Sequence, residues 1–321
     1  MSFSSSVKEE LSAQLSSARH CQISELTAIL SFCGRIQISE NNRCRIKIHT
    51  ENGAVARKCF TLLKKTFNIG ADVSIRRNAF LKKSHTYTIA VQDHQEALRV
   101  LQASRILQEN GEILDSPAVS HVLLMQPCCR RSFIRGAFLA AGSISDPEKF
   151  YHFEIVCPSK ERAKQIQEII RTFGIDAKMV TRKKYFVVYI KEGSQIVDIL
   201  NVMEAPLSLM ELENIRIVKG MRGQVNRQVN CETANINKTV SAAVRQMEDI
   251  IYIRDTAGLC CLPSNLEEIA LLRLARPDAS LKELGEALDP PVGKSGVNHR
   301  LRKLSAIAEG LRENAANRTE R

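Results

Sequence analysis

Long apolar runs are missing from this 321-residue sequence, and nothing in it approaches the roughly 18 residues that a membrane-spanning helix needs. The opening residues, MSFSSSVKEEL, lack the apolar core of a secretory signal. A soluble cytoplasmic protein with no membrane partner is expected. Short-range metal motifs are absent too: neither C-x-x-C nor H-x₃₋₅-H occurs, which argues against a structural zinc site, and neither metal nor cofactor is expected. The ten cysteines (Cys21, Cys33, Cys44, Cys59, Cys128, Cys129, Cys157, Cys231, Cys260 and Cys261) are scattered in apolar contexts of a long chain, unlike the dense framework of a short secreted domain. They read as reduced core fillers. A phosphate-binding loop is also missing, because Gly293-Lys294-Ser295 has Leu288 where the first glycine is required and follows a helix rather than a strand. Asn237-Lys238-Thr239 is a glycosylation triplet with no role in a cytoplasmic chain.

What is present excludes a disordered tail protein. Hydrophobic residues make up 44% of the chain in short periodic segments, and the length suffices for two or three domains with real cores. Lys and Arg outnumber Asp and Glu by 46 to 35, a formal charge of +11. Residues 35–83 carry 12 basic against 3 acidic side chains and residues 130–193 carry 13 against 7, while 84–129 between them carries 2 against 5. Two basic blocks about an acidic bridge form either a solubilising surface or a field that meets a polyanion, of which nucleic acid is the foremost example.

The first two thirds repeat internally at an offset near 107. Leu26-Thr-Ala28-Ile-Leu30-Ser-Phe-Cys33-Gly34 aligns with Ile134-Arg-Gly136-Ala-Phe138-Leu-Ala-Ala141-Gly142, each an apolar helix ending on glycine. Downstream, Arg45–Ile48 matches His152–Ile155, helical segments 53–67 and 159–173 match, and Phe67-Asn-Ile69-Gly-Ala71-Asp-Val73 matches Phe173-Gly-Ile175-Asp-Ala177-Lys-Met179. Final strands are expected near 86–91 and 185–190. The unit reads helix, strand, helix, strand pair, helix, so two α/β copies make one pseudo-symmetric domain. Gly136, Ala137, Ala140 and Ala141 give the second glycine-ended helix a small-residue face, which either admits the matching helix of the first copy closely or belongs to an ordinary buried helix.

A duplicated helix ending on glycine and followed by paired strands resembles a LAGLIDADG homing endonuclease domain over about residues 20–205. The resemblance implies that the two motif helices pack at a pseudo-twofold axis beneath sheets that form a saddle over the DNA major groove. It also implies an acid just before each final glycine to hold the divalent metal. Here those positions are Cys33 and Ala141, and neither a thiol nor a methyl group supplies the oxygen ligands of a hard cation. No catalytic residue is therefore expected. Asp146, four residues past Gly142, is the nearest substitute acid, with Glu40 its only counterpart in the first copy.

On the expected saddle, Arg43, Arg45, Lys47 and His49 alternate with Cys44, Ile46 and Ile48, giving a basic face over an apolar one. The equivalent strand, Tyr151 to Cys157, exposes His152, Glu154 and Val156, which argues against a symmetric saddle, and Arg182-Lys183-Lys184 falls at a hairpin turn. Arg43, Arg45 and Lys47 are candidates for auxiliary DNA contact; a protein-binding or merely solvated face stays open.

Past about residue 210 the pattern is helical. Glu211–Arg227 and Thr233–Ile253 read as two helices about an amide-rich polar junction, Asn226 to Lys238. Ser264-Asn-Leu-Glu267 and Ser280-Leu-Lys-Glu283 read as capping boxes opening two further helices, the first stopped by Pro277 and the second by Asp289-Pro290-Pro291. A third starts near Ser295 with Val297, Leu301, Leu304, Ala308 and Leu311 as its buried stripe. Ser295, Asn298, His299 and Arg302 face away, with Arg300 and Lys303 at the sides, and no acid lies between Asp289 and Glu309. This is a helix-turn-helix whose final helix bears side chains that read bases, Arg on guanine and Asn on adenine, with Lys294 beside them.

The pairing of a degenerate LAGLIDADG domain with a C-terminal helix-turn-helix is similar to the WhiA family of bacterial transcription regulators. The resemblance rests on Arg131-Ser-Phe-Ile-Arg-Gly136-Ala-Phe-Leu, Val229-Asn-Cys-Glu-Thr-Ala-Asn-Ile-Asn-Lys238, Asp278-Ala-Ser-Leu-Lys-Glu-Leu-Gly-Glu286 and Pro291-Val-Gly-Lys-Ser-Gly-Val-Asn-His-Arg-Leu-Arg-Lys-Leu304. It implies an α+β fold, a duplicated LAGLIDADG-type αββαββ-like pseudo-symmetric domain followed by an all-α helix-turn-helix domain. The expected parts are an N-terminal helix (1–20), repeat one with its bridge (21–127), repeat two (128–208), a helical linker (209–257), the helix-turn-helix (258–312) and a tail (313–321). The implied function is non-enzymatic, sequence-specific binding of double-stranded DNA in the nucleoid, regulating transcription in sporulation, cell division and chromosome segregation. A protein co-regulator is left open as a second partner, and a cell-division scaffold is the alternative function.

Overall fold

A computed structural model describes residues 2–38, 43–77, 85–107 and 118–319, the side chains of 315–319 excepted. The chain divides into two compact units, Met1–Gly220 and Met221–Arg321. Among the described residues no helix is long and apolar enough to cross a membrane.

The first unit opens with α1 (Phe3–Ala13). The first copy follows as α2 (Arg19–Cys33), β1 (Gly34–Ile38), β2 (Cys44–Thr50), α3 (Gly53–Phe67), β3 (Asp72–Arg77), β4 (His85–Val91) and α4 (His94–Ala103). The second is α5 (Pro127–Ala141), β5 (Gly142–Ile144), β6 (Phe153–Cys157), α6 (Lys160–Arg171), β7 (Lys178–Arg182), β8 (Tyr185–Ile190) and α7 (Gly193–Met203). Each copy forms a four-stranded antiparallel sheet, in the orders β1-β2-β4-β3 and β5-β6-β8-β7. The duplicated αββαββ-like architecture is therefore as the resemblance implies, each copy closing with one further helix, while the unit read from the internal repeat alone lacked one strand per copy. The sequence pattern passed over β1 and β5 because each starts on the very glycine that ends the preceding helix, and β5 is only three residues long. The expected N-terminal helix 1–20 is likewise two pieces, since α1 stops at Ala13 and α2 already begins at Arg19.

Local chemistry sets the ends of these elements. The Asn52 side chain accepts the Ala54 and Val55 N–H groups at the start of α3, Asp93 accepts that of Glu96 at α4, and Ser159 accepts that of Arg162 at α6. Asn68 closes α3 in the left-handed region at φ 58°, with Lys64 and Lys65 in the last turn. The strands bury alternate residues, Cys44, Ile46 and Ile48 in β2 and Phe153, Ile155 and Cys157 in β6, and Phe153 stacks on Phe138 of α5 with ring centroids 5.4 Å apart.

Helices α2 and α5 run side by side in the same direction, since Ser24 Oγ donates to Cys129 O (2.8 Å) near one end and Cys33 Sγ to Ala140 O (3.5 Å) at the other. The small-residue face of α5 meets α2 at Gly136. A Cβ there would collide with Glu25 O and lie 2.8 Å from the Ala28 Cβ, so only glycine permits the approach. Within the same seam Glu25 is fully buried, and its carboxylate meets Arg135 Nε at 3.2 Å and Lys58 Nζ at 3.1 Å. Arg135 also donates to Ser132 Oγ (3.2 Å), Met203 O (3.3 Å) and Glu204 Oε2 (2.6 Å), while Lys58 donates to Leu11 O (3.5 Å) and to Gln14 O. Burial lowers the Lys58 pKa and the neighbouring Glu25 charge only partly restores it.

Helix α8 (Pro206–Thr256) begins in the first unit and continues into the second. It replaces the two expected helices 211–227 and 233–253 and their junction. No proline interrupts it after Pro206, neither Gly220 nor Gly223 has a positive φ, and Asn226 to Lys238 are exposed along it. Their polar groups bond within the helix instead of breaking it, as in Gln228 Nε2 to Glu232 Oε1 (3.1 Å) and Thr239 Oγ1 to Asn235 O (2.9 Å). The second unit continues with α9 (Ser264–Ala275), α10 (Leu281–Glu286) and α11 (Lys294–Thr319). The expected tail from 313 is helical through Thr319. Of the cysteines, Cys21, Cys44, Cys59, Cys129 and Cys157 are buried and Cys33 is half-buried, but Cys128, Cys231, Cys260 and Cys261 are exposed and are not core fillers. Cys231 lies in the exposed stretch of α8, and Cys260 and Cys261 in a 3-10 turn before α9.

Glu25→Gln removes the anion from two buried cations, and the expected loss of stability is about 3 to 5 kcal/mol. Urea unfolding of the full chain measures it.

Candidate nucleic-acid interface

The core of the second unit fixes which face of α11 meets water. Ile250 and Ile253 of α8, Leu266 and Ile269 of α9, Leu284 of α10, and Val297, Leu301, Leu304 and Ala308 of α11 form one buried cluster, with Leu311 packed against it. The 3.6-residue period then leaves Lys294, Ser295, His299, Arg302 and Lys303 exposed, with Asn298 half-buried at the edge. Arg300 is drawn elsewhere: its Nη1 donates to Asn265 O (3.4 Å) and stands 3.9 Å from Glu268 Oε2, so its guanidinium is tied to α9. Between α10 and α11 the chain turns closely, as Val292 N donates to Gly285 O (2.9 Å) and a Cβ on Gly285 would collide with Val292 O. Ser280 and Glu283 form the expected capping box at α10, holding Glu283 N at 3.3 Å and Ser280 N at 2.7 Å. Ser264 does not cap α9. It is already the first helical residue, Pro263 takes the cap position, and no side chain bonds there.

Arg273, which sequence reasoning did not single out, braces this unit. It is buried, and donates to Gln246 Oε1 of α8 (2.8 and 3.1 Å) and to Ala279 O (2.6 Å) in the turn before α10. Its signal was a cation on the apolar segment Ala270-Leu-Leu-Arg-Leu.

A second positive surface lies on the outer face of the first sheet. Cross-strand register sets Arg35 beside Lys47 and Gln37 beside Arg45, then His49, Thr88 and Ser74 in one row and Thr86 beside Arg76. Asp72, opposite Ala90, is the one acid on this face among the described strand residues. Arg43 is exposed just ahead of β2, so the alternation expected for Arg43 to His49 holds from Cys44 onward. His49 Nδ1 lies 3.0 Å from Thr88 Oγ1. Burial, then the charges of Arg35, Lys47 and Arg76, push the His49 pKa below its ordinary 6.5. The second sheet differs: Glu154 gathers Ser143 Oγ (3.1 Å), His152 Nε2 (3.2 Å) and Arg182 Nη1 (3.8 Å), with exposed Val180 on the same face. Lys183 and Lys184 form the turn between β7 and β8, Lys183 at φ 55°.

At the glycine ends of the motif helices, the residues do not fit a catalytic metal. Cys33 Sγ donates to Ala140 O and Ala141 offers only a methyl group. Burial raises the Cys33 pKa despite the opposing charge of Lys8. That ammonium, itself held 5.7 Å from the Phe138 ring centroid, is a cation where a divalent metal would need anions. Asp146 is exposed and spends its carboxylate on its own turn, accepting Glu148 N at 3.0 Å and pairing with Lys149 at 3.9 Å. Glu40 lies outside the described residues.

Three family models match the chain: the WhiA N-terminal LAGLIDADG-like domain over residues 19–107, the WhiA LAGLIDADG-like domain over 130–222, and the WhiA C-terminal HTH domain over 225–308. A probable cell division protein WhiA from Lachnoclostridium phytofermentans is 56% identical across 98% of this chain and 100% of its own. The chain belongs to the WhiA family. A second WhiA relative, from Alkaliphilus oremlandii, is 50% identical across 98% of both chains. Among solved structures, full-length DUF199/WhiA from Thermatoga maritima is similar at 27% identity and a TM-score of 0.59, covering 96% of this chain and 98% of that one. The WhiA helix-turn-helix model spans the C-terminal part of α8 as well as α9 and α10 and runs into α11, in keeping with the shared core that Ile250 and Ile253 complete.

The depressed His49 pKa has a sign that can be tested. Below 6.5 the unfolded chain takes up a proton that the folded His49 refuses, so stability falls as pH drops from 6.5 toward the folded value. An NMR titration should place His49 below 6.5. High salt should raise it part of the way, by screening the three cations but not the burial.

Proposed function

We propose that this WhiA-family chain is a non-enzymatic, sequence-specific DNA-binding transcriptional regulator acting in the nucleoid in cell division, sporulation and chromosome segregation. The observation that carries this reading is the outer face of α11. Lys294, Ser295, His299, Arg302 and Lys303 stand exposed there, Asn298 flanks them, and no acid occurs from Pro290 to Ala308. Such a helix can enter the major groove, where Arg meets guanine O6 and N7 in bidentate fashion and Asn meets adenine N6 and N7. Arg300 then serves chiefly to hold α11 against α9 through Glu268. Arg45 and Lys47, with Arg43 beside them, add sequence-independent phosphate contacts from the first sheet.

Cleavage is lost in this reading. Cys33 and Ala141 supply no hard oxygen ligand, and Lys8 acts electrostatically on Cys33 against a bound cation. The relatives' name, probable cell division protein, supports the cellular role. A protein co-regulator is the second partner proposed, and the mixed face of the second sheet supports it, because Glu154 and exposed Val180 suit a protein surface better than a phosphate backbone. A scaffold role in cell division would use that face.

Arg302→Ala should lose about 1 to 3 kcal/mol of discrimination between the preferred site and a mismatched one, while Lys303→Ala should weaken all sequences alike and lower the salt slope by about 1. Binding isotherms at several salt concentrations measure both. Unchanged affinity and preference in both variants would overturn the assignment of α11. On DNA carrying the binding site, Mg²⁺ or Mn²⁺ should produce no strand scission, and metal-dependent cutting by the pure chain would overturn the non-enzymatic reading.

A further inference from the structure

The starts of the two motif helices bring together side chains that are far apart in sequence. His20-Cys21 opens α2 and Cys128-Cys129 opens α5, positions that the repeat places in register. The His20 Nδ1 lies 3.1 Å from Cys129 Sγ and 3.4 Å from Cys21 Sγ, and all four ligand-type atoms fall within 4.8 Å of one another. We propose that His20, Cys21, Cys128 and Cys129 form a Cys₃His site for zinc that clamps the starts of α2 and α5.

Three thiolates and one imidazole are the donor set of closed, tetrahedral zinc centres, and soft sulfur selects zinc over magnesium or calcium. In such a centre Zn–S is about 2.3 Å and Zn–N about 2.0 Å, which sets ligand atoms about 3.5 to 3.8 Å apart. The four ligand atoms, all within 4.8 Å of one another, already lie near that spacing. Neither a C-x-x-C nor an H-x₃₋₅-H motif is needed, because each helix supplies an adjacent pair and the seam supplies the rest. Cys21 and Cys129 are buried while His20 and Cys128 are exposed, so the site has a packed floor and an open side for the metal to enter.

Charge supports the same assignment. As the Zn–S bonds form, each thiol gives its proton to solvent, and the resulting centre of three thiolates, one neutral imidazole and Zn²⁺ carries a single negative charge. It sits at the amino ends of two helices whose cap residues, Ala18 and Gln126, make no side-chain cap bond. The aligned dipoles of the two helix starts favour an anion there. The site is distinct from the glycine ends of the same helices, where Cys33 and Ala141 stand.

The test uses the full chain purified under reducing conditions without chelator. Atomic emission should find about one zinc per chain. Cobalt(II) added to metal-free protein should give the visible bands of tetrahedral thiolate coordination. Cys128→Ser and His20→Ala, both at exposed positions, should lower zinc affinity at least about tenfold, while the Cys260→Ser, Cys261→Ser double variant should bind as wild type. Equimolar zinc should raise the midpoint of thermal unfolding in wild type and not in Cys128→Ser. Metal-free protein that gives no tetrahedral cobalt spectrum would overturn the proposal. So would zinc bound equally by Cys128→Ser and wild type, or a Cys21 to Cys129 disulfide in the reduced preparation.

Discussion

A carboxylate taken out of water costs several kcal/mol unless cations meet it, and Glu25 is met by two. Arg135 arrives from the second copy and Lys58 from α3, both buried with it, so one anion ties three helices at the centre of the first unit. The close approach at Gly136 makes this possible, because the α5 backbone lies against the Glu25 backbone itself. Arg135 passes the constraint on through Met203 O and Glu204, which end α7. Lys58 passes it to the end of α1 through Leu11 O and Gln14 O. The sheets are then carried on helices whose spacing has little freedom left.

The two sheets so positioned have diverged in surface chemistry while keeping one architecture. Their buried faces remain equivalent, with Ile46 and Ile48 in one copy and Phe153 and Ile155 in the other. The outer faces do not: cations dominate the first, and a central glutamate organises the second. Packing conserves alternation because a slip of one residue would turn every apolar side chain outward. No such penalty acts on the solvent side, which is free to specialise.

Much of this was legible in the sequence because periodicity reports burial. The repeat, the strands β2, β4, β6 and β8, the alternation from Cys44 to His49 and the buried stripe of α11 all follow from side chains sorting between core and water. Features set by tertiary partners were not legible. The amides from Asn226 to Lys238 looked like a break because their preference for turns is intrinsic, yet nothing in that stretch forbids a helix. Arg300 looked like a flanking base reader, but Glu268 on a neighbouring helix claims it. Glu25 and Arg135 left a trace, each a charge inside an apolar helical run, although the trace names no partner. The meeting of His20-Cys21 with Cys128-Cys129 is invisible along the chain and follows only once the repeat is folded against itself.

The repeat equivalences carry a consequence for ancestry. The register that pairs Gly34 with Gly142 pairs Glu25 with Phe133 and Arg135 with Thr27, all four of them buried. Two first halves brought together would set a glutamate against threonine on each side, and two second halves would set an arginine against phenylalanine. The halves descend from a shared plan but are no longer interchangeable. A symmetric homodimer of either single repeat would therefore lack the buried Glu25–Arg135 pair at its seam.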